Sequence, residues 1–311
     1  MSLITVTGEI DPGEVLLADA HEHVWIQPEA GVDPSARIEL NDYDAITGEL
    51  RTLSSGGVLL VDCQPGGAGR DARQLEAVAR AANLWITAVT GFHQRKYYPP
   101  AAPHWSQTAD DFIAELTHAT HETRDHAVPV RASAIKVGYE GVIEGQTRVL
   151  MEAAAHAARA TGATILFHTE QGRGVELLIP FFEGYGVPAS QLYLCHVDKR
   201  NDFALHADLA RAGALLGYDT FARPKYDPAN NVWRLLQQMI AAGLDHRVAV
   251  GLDFAFPSMW AFGGGQGIAG AYASILKRME QIGLTADSIR RLTARNIAQQ
   301  LVFKTAPPSG V

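Results

Sequence analysis

Short apolar runs alternate with longer stretches rich in Ala, Leu, Glu and Arg along almost the whole chain. The runs show no in-and-out alternation, which is the pattern of strands buried on both faces of a parallel sheet, so each run and its following stretch read as strand then helix. Strands are expected over residues 15–19, 58–63, 85–91, 132–137, 164–168, 192–195, 214–218 and 248–252. Helices are expected over 42–54, 72–82, 108–122, 147–161, 174–185, 203–212, 231–242, 269–282 and 285–301. Eight such strands match an α/β fold of the (β/α)8 TIM-barrel type rather than a doubly wound sheet of about five or six strands. No proline-rich or low-complexity linker interrupts the alternation. One domain is therefore expected over 1–311, with an N-terminal cap over 1–14 and a frayed tail over 305–311. The Gly-rich run over 262–267 reads either as a surface loop or as a lid.

Composition removes several functions. Hydrophobic residues are 47% and charged residues 19% of the 311, enough for a large core and too apolar for disorder. A net charge of -8 supplies no field for a phosphate backbone or an anionic bilayer, so neither nucleic acid nor membrane is expected as a partner. Two cysteines, Cys63 and Cys195, suit a reducing compartment, and the acids at the N-terminus do not suit a signal peptide. A cytoplasmic protein is expected.

The polar residues at the strand ends carry the chemistry, because a TIM barrel assembles its active site there. The first strand ends in Asp19-Ala20-His21-Glu22-His23, the fourth holds Lys136, the fifth ends in His168, the sixth is followed by His196 and the eighth by Asp253. On an extended chain His21 and His23, two apart, leave the same face and can reach one ion. Four imidazoles and a carboxylate exceed what one tetrahedral metal with an open position can use, so two metals are implied. Two neighbouring dications need anionic bridging; Asp253 is the acid taken for it beside Asp19 and Glu22, which leaves one bridge to find. Lys136 either points elsewhere or pairs with Glu140, or it is carboxylated by carbon dioxide into an anionic bridge.

In these five elements, HEH at 21–23, IKVG at 135–138, FHTE at 167–170, CHVD at 195–198 and GLDF at 251–254, the chain resembles the phosphotriesterase family of the amidohydrolase superfamily. The resemblance implies that His21, His23 and Asp253 hold the more buried of two divalent ions. His168 and His196 would hold the more exposed one, and Lys136, as N6-carboxylysine, would bridge them. Zinc is the default metal, with manganese and cobalt suited to the same ligands. A water-derived nucleophile shared by the ions would attack, and Asp253 would pass its proton to the leaving group. The resemblance also implies a homodimer.

The substrate class turns on the loops. The run after His196 carries Lys199 where the triesterases of the family usually have an acid, and the loop after the seventh strand carries Arg223 and Tyr226. This set is similar to the phosphate-binding residues of family members that open phosphorylated sugar lactones, and it favours an anionic substrate over a neutral one. His93, Lys96 and Tyr98 after the third strand are candidate contacts to the sugar. The expectation is thus a binuclear metal hydrolase opening a phosphorylated sugar lactone. The alternatives are a phosphotriesterase or simple-lactone hydrolase with a neutral substrate, or a catalytically silent ligand-binding barrel.

Overall fold

Leu3–Thr5 (β1) and Gly8–Ile10 (β2) pair as an antiparallel hairpin, and a single 3-10 turn at Pro12–Glu14 delivers the chain to the barrel. The barrel strands are β3 (Leu17–Glu22), β4 (Val58–Asp62), β5 (Trp85–Thr87) with β6 (Val89–Phe92), β7 (Ala134–Tyr139), β8 (Thr164–Thr169), β9 (Leu192–Cys195), β10 (Leu215–Tyr218) and β11 (Val248–Val250). All their ladders are parallel. This computed structural model describes residues 2–53 and 56–304. The tail expected over 305–311 and the Ser54 end of the first expected helix lie outside the described residues.

Most strands differ from expectation by one or two residues at an end, the fourth running over Ala134–Tyr139 rather than 132–137, and two larger differences have plain physical reasons. The first strand starts at Leu17 because Val15 closes the 3-10 turn, its N–H donating to the Pro12 carbonyl, and it runs on to Glu22, so His21 lies within the strand. The third barrel strand is divided at Ala88, whose carbonyl accepts from the Ser133 N–H. Its first half pairs with β4 and its second with β7. The barrel closes where the Asp253 N–H donates to the His21 carbonyl at 2.8 Å.

Around the strands run α1 (Tyr43–Leu50), α2 (Ala72–Ala82), α3 (Ala109–Thr117), α4 (Gly145–Thr161), α5 (Leu178–Gly184), α6 (Phe203–Ala212), α7 (Val232–Ala241), α8 (Gly267–Gln281), α9 (Ala286–Arg290) and α10 (Asn296–Gln300). The third helix stops at Thr117, short of the expected residue 122, because its own Glu115 turns back to accept the His121 N–H. The last expected helix is broken by a π-helical stretch at Arg291–Arg295, beyond which Ile297, Ala298 and Leu301 pack beneath the barrel interior with Ala18, Leu59 and Leu166. Among the described residues, no helix is long and apolar enough to cross a membrane.

Below the loops after β4 and β6 the buried Arg70 guanidinium donates to both Glu115 and Glu122 at 2.8 Å and to the Val89 carbonyl. Burial alone would push the Glu115 carboxyl up, but Arg70 pulls it down from 4.5 to about 2. The folded value is thus below the unfolded one, so this carboxylate stabilises the fold above pH 4.5 and its contribution disappears as pH falls toward 2. The term is on the order of 3 kcal/mol. Glu115→Gln should accordingly lower thermal stability at neutral pH and narrow the gap to the parent in acid; parallel melting curves at all pH values would contradict this.

Candidate metal centre

The acids of β3 build the mouth before any metal ligand is considered. Asp19 accepts the N–H groups of His21 and Leu252, each at 3.1 Å, and Glu22 accepts those of His23 at 2.7 Å and Phe254 at 2.8 Å. The two carboxylates therefore clamp both neighbours of Asp253 to the first barrel strand. Burial raises Asp19 to about 8, in keeping with a hydrogen-bonding rather than an ionic role. Asp253 and His196 both sit at positive φ, 56° and 66°, a strained backbone for residues with a Cβ. In each case the N–H is tied, to His21 and to the Asp219 carboxylate respectively.

The five expected elements converge. His21 and His196 rings are 4.5 Å apart, His168 and His196 4.7 Å, and His21 and His23 5.5 Å. The Asp253 carboxylate lies 3.4 Å from His23 Nε2, 3.9 Å from His21 Nε2 and 3.8 Å from His196 Nδ1. Lys136 is fully buried in β7, and its Nζ is 3.5 Å from His21 Nε2. Gly91 makes room for it: a Cβ there, at φ 95°, would overlap the Lys136 backbone. Glu140 is exposed and no ion pair joins it to Lys136 among the described residues, so that reading of the lysine is not supported.

These groups fit divalent metals. Donor atoms of His21, His23 and Asp253 lie within 4.8 Å of one another, as do those of His21, His196 and Asp219. Burial holds His21 and His196 well below 6.5 and His168 at about 4, so all three are neutral imidazoles with free lone pairs. The side chains of His21 and His23 each leave a buried Nδ1 without a hydrogen-bond partner. A buried lysine whose one hydrogen-bond neighbour among the described residues is an imidazole fits a group that becomes anionic.

Asp219 and Tyr97 are additions to the expected site. Asp219, directly after β10, is 2.8 Å from His196 Nδ1 and 3.5 Å from His21 Nδ1. A carboxylate that accepts the Nδ1–H of an imidazole leaves its Nε2 free to be a ligand. Asp62 at the end of β4 also faces inward, accepting from the Val24 and Gln64 N–H groups. The strand-end acids thus extend beyond Asp19, Glu22 and Asp253.

A cavity of about 120 Å³ opens over the centre, with His23, His93, Tyr97, His168, Arg223 and Asp253 in its wall. Arg223 is turned into the centre, 2.7 Å from the Asp253 carboxylate. Lys199 Nζ is 3.9 Å from the same carboxylate and 5.5 Å from the Tyr226 ring. Lys199 and Arg223 of the expected phosphate set thus meet at Asp253, with Tyr226 against Lys199. His93 packs 4.8 Å from His168, while Lys96 is exposed over the Tyr97 ring. Tyr98 is buried, its hydroxyl accepting the His93 N–H at 2.8 Å, and it is Tyr97 that reaches the cavity.

The sequence profile of the phosphotriesterase family matches residues 1–301. The phosphotriesterase homology protein of Escherichia coli is 24% identical over 286 residues, 90% of this chain and 96% of that one. Its structure, solved with phosphate in the active site, superposes with a TM-score of 0.83 at 24% identity, covering 94% of this chain and all of that one. A lactonase from Listeria monocytogenes superposes with a TM-score of 0.87 at 20% identity, over 98% of this chain and 100% of that one.

Proposed function

The chain belongs to the phosphotriesterase family of metal-dependent ester hydrolases, and on that premise we propose that it opens a lactone, specifically a phosphorylated sugar lactone. In this reading His21, His23 and Asp253 would hold the more buried ion and His168 and His196 the more exposed one, with a carboxylated Lys136 as a shared ligand. When bound, two such ions, zinc by default, would lower the pKa of a bound water to about 7 and polarise the ester oxygen. The protein contributes the rest. Asp253 takes the proton of the attacking water at its carboxylate and returns it to the departing alkoxide, which keeps the ring from reclosing. Arg223, at 2.7 Å, orients that carboxylate, and Asp219 orients His196. The reading extends to a homodimer, on the strength of the family resemblance, in a reducing, cytoplasmic compartment that suits the two free cysteines.

The observation that carries the substrate class is the pairing of two cations on Asp253, Arg223 in the cavity wall and Lys199 beside it against the Tyr226 ring. The relative solved with phosphate in its active site supports an oxyanion there. Arg223 holds Asp253 at 2.7 Å and Lys199 lies farther off at 3.9 Å, so Lys199 is the cleaner probe. Lys199→Met should lower kcat/KM for a phosphorylated aldonolactone by roughly ten- to two-hundred-fold, the value of one charge-assisted bond, mostly through KM. The unphosphorylated lactone should change little. Equal losses on both substrates would sink the phosphate reading. The Arg223–Asp253 ion pair favours a second reading, hydrolysis of a neutral ester, in which the cation serves only Asp253. Arg223→Met should then slow both substrates alike while Lys199→Met slows neither.

A further inference from the structure

After β11 the chain carries Ala255 and Phe256 into the wall of the cavity, then passes through two 3-10 turns, Pro257–Met259 and Ala261–Gly263, before α8. The sequence leaves this Gly-rich segment open between a surface loop and a lid. It is neither loose nor self-supporting. Trp260 is fully buried and its indole N–H donates to the Phe254 carbonyl at 2.9 Å. The outer part of the loop is held from another element, by the carboxylate of Glu49 on α1.

Glu49 is 9% exposed. One carboxylate oxygen accepts the N–H groups of Ala261 at 2.8 Å and Phe262 at 3.3 Å, and the other accepts that of Ile268 at 3.1 Å. No cation lies within ion-pair distance of it among the described residues. A buried charge without a counterion is costly unless its lone pairs are filled, and here three backbone donors fill them. Those donors flank the Gly-rich run, so one side chain fixes both of its ends. The segment that leads into α1 contributes Val32, Ala36 and Ile38 to the same cavity. Glu49 therefore ties the loop that follows Phe256 to the helix that follows the 32–38 segment.

We propose that Glu49 is a positioning residue, a latch that sets the distance between the 32–38 and 255–256 walls and so fixes how the substrate is held. The inference rests on the reading of this cavity as the catalytic one. Glu49→Gln tests it with little change in volume, because the amide turns one of the two acceptors into a donor facing a backbone N–H. Gly267→Ala tests it from the other side. A Cβ there would lie 2.6 Å from the Glu49 carboxylate and 2.9 Å from the Ala261 Cβ, at φ 70°.

In the metal-loaded protein both variants should exchange the Ala261, Phe262 and Ile268 amide protons about tenfold faster or more. With para-nitrophenyl acetate as probe, KM should rise by about three- to tenfold while kcat stays within about twofold, at unchanged metal content. Unchanged exchange at these amides would overturn the latch. Faster exchange with unchanged KM would overturn its effect on the cavity, and metal loss in proportion to activity would show that Glu49 acts on Asp253 instead. If the parent enzyme hydrolyses no ester or lactone, the functional reading fails on its own, and the exchange experiment still decides the latch.

Discussion

Lys136→Ala is expected to yield a folded barrel that has lost most of its metal and whose activity has fallen by roughly 10³-fold or more, since the ions supply several kcal/mol to the reaction. The argument starts from burial. An ammonium shut away from water needs a carboxylate or several acceptors, yet Lys136 is fully buried in β7 with His21 Nε2 at 3.5 Å as its close polar partner. Conversion to a carbamate resolves this by giving the side chain two oxygens and a negative charge where burial keeps His21, His168 and His196 neutral. The alanine variant leaves a void of about the shape of the lost chain, so acetate or propionate should restore part of the metal content and part of the activity. Lys136→Met fills the void without supplying oxygen and should stay metal-poor in the same buffers. Metal analysis decides the matter before any assay: a Lys136→Ala protein with about two ions per chain and full turnover would rule out the bridge.

What could be read in the sequence was set by short-range rules. Residues 192–195, 203–212 and 72–82 match β9, α6 and α2 because each ends on a local signal, such as the Asp71 cap of α2 and Gly213 after α6. His21, His23, Lys136, His168, His196 and Asp253 were legible because the rule that barrel strands end at one mouth turns chain position into spatial convergence. Asp219 escaped because its importance lies in a contact to His196, 23 residues away across two strands, which no periodicity encodes. Tyr98 and Tyr97 are adjacent, and which one faces the cavity depends on the 3-10 turn at Arg95–Tyr97. Glu49 looks like any helix-surface acid until the loop after β11 folds over it. Asp219 and Glu49 were missed for one cause, a side-chain bond to a group far along the chain, whereas the Tyr97/Tyr98 choice was missed because it is set by a local turn.

Asp253→Asn should keep the shape of the centre and one oxygen donor while removing the proton acceptor, so turnover should fall by roughly 10² to 10⁴, the usual contribution of general acid–base catalysis. The geometry fits that role. Asp253 is held in a left-handed conformation at φ 56°, and its neighbours Leu252 and Phe254 are clamped by Asp19 and Glu22. Its carboxylate therefore has little freedom to follow a substrate and must be met by one. Arg223 at 2.7 Å on one oxygen and His23 at 3.4 Å on the other aim it between the basic loop and the histidines. A carboxylate that only bound metal would, on conversion to an amide, lose activity in step with metal and equally for every ester. A carboxylate that also carries the proton to the leaving group should lose most with a poor leaving group, such as the alkoxide of a sugar lactone. It should lose least with a para-nitrophenyl ester, whose phenolate departs unprotonated. The comparison is made on Asp253→Asn protein with parent metal content, and the same loss on both esters would leave Asp253 as a ligand alone.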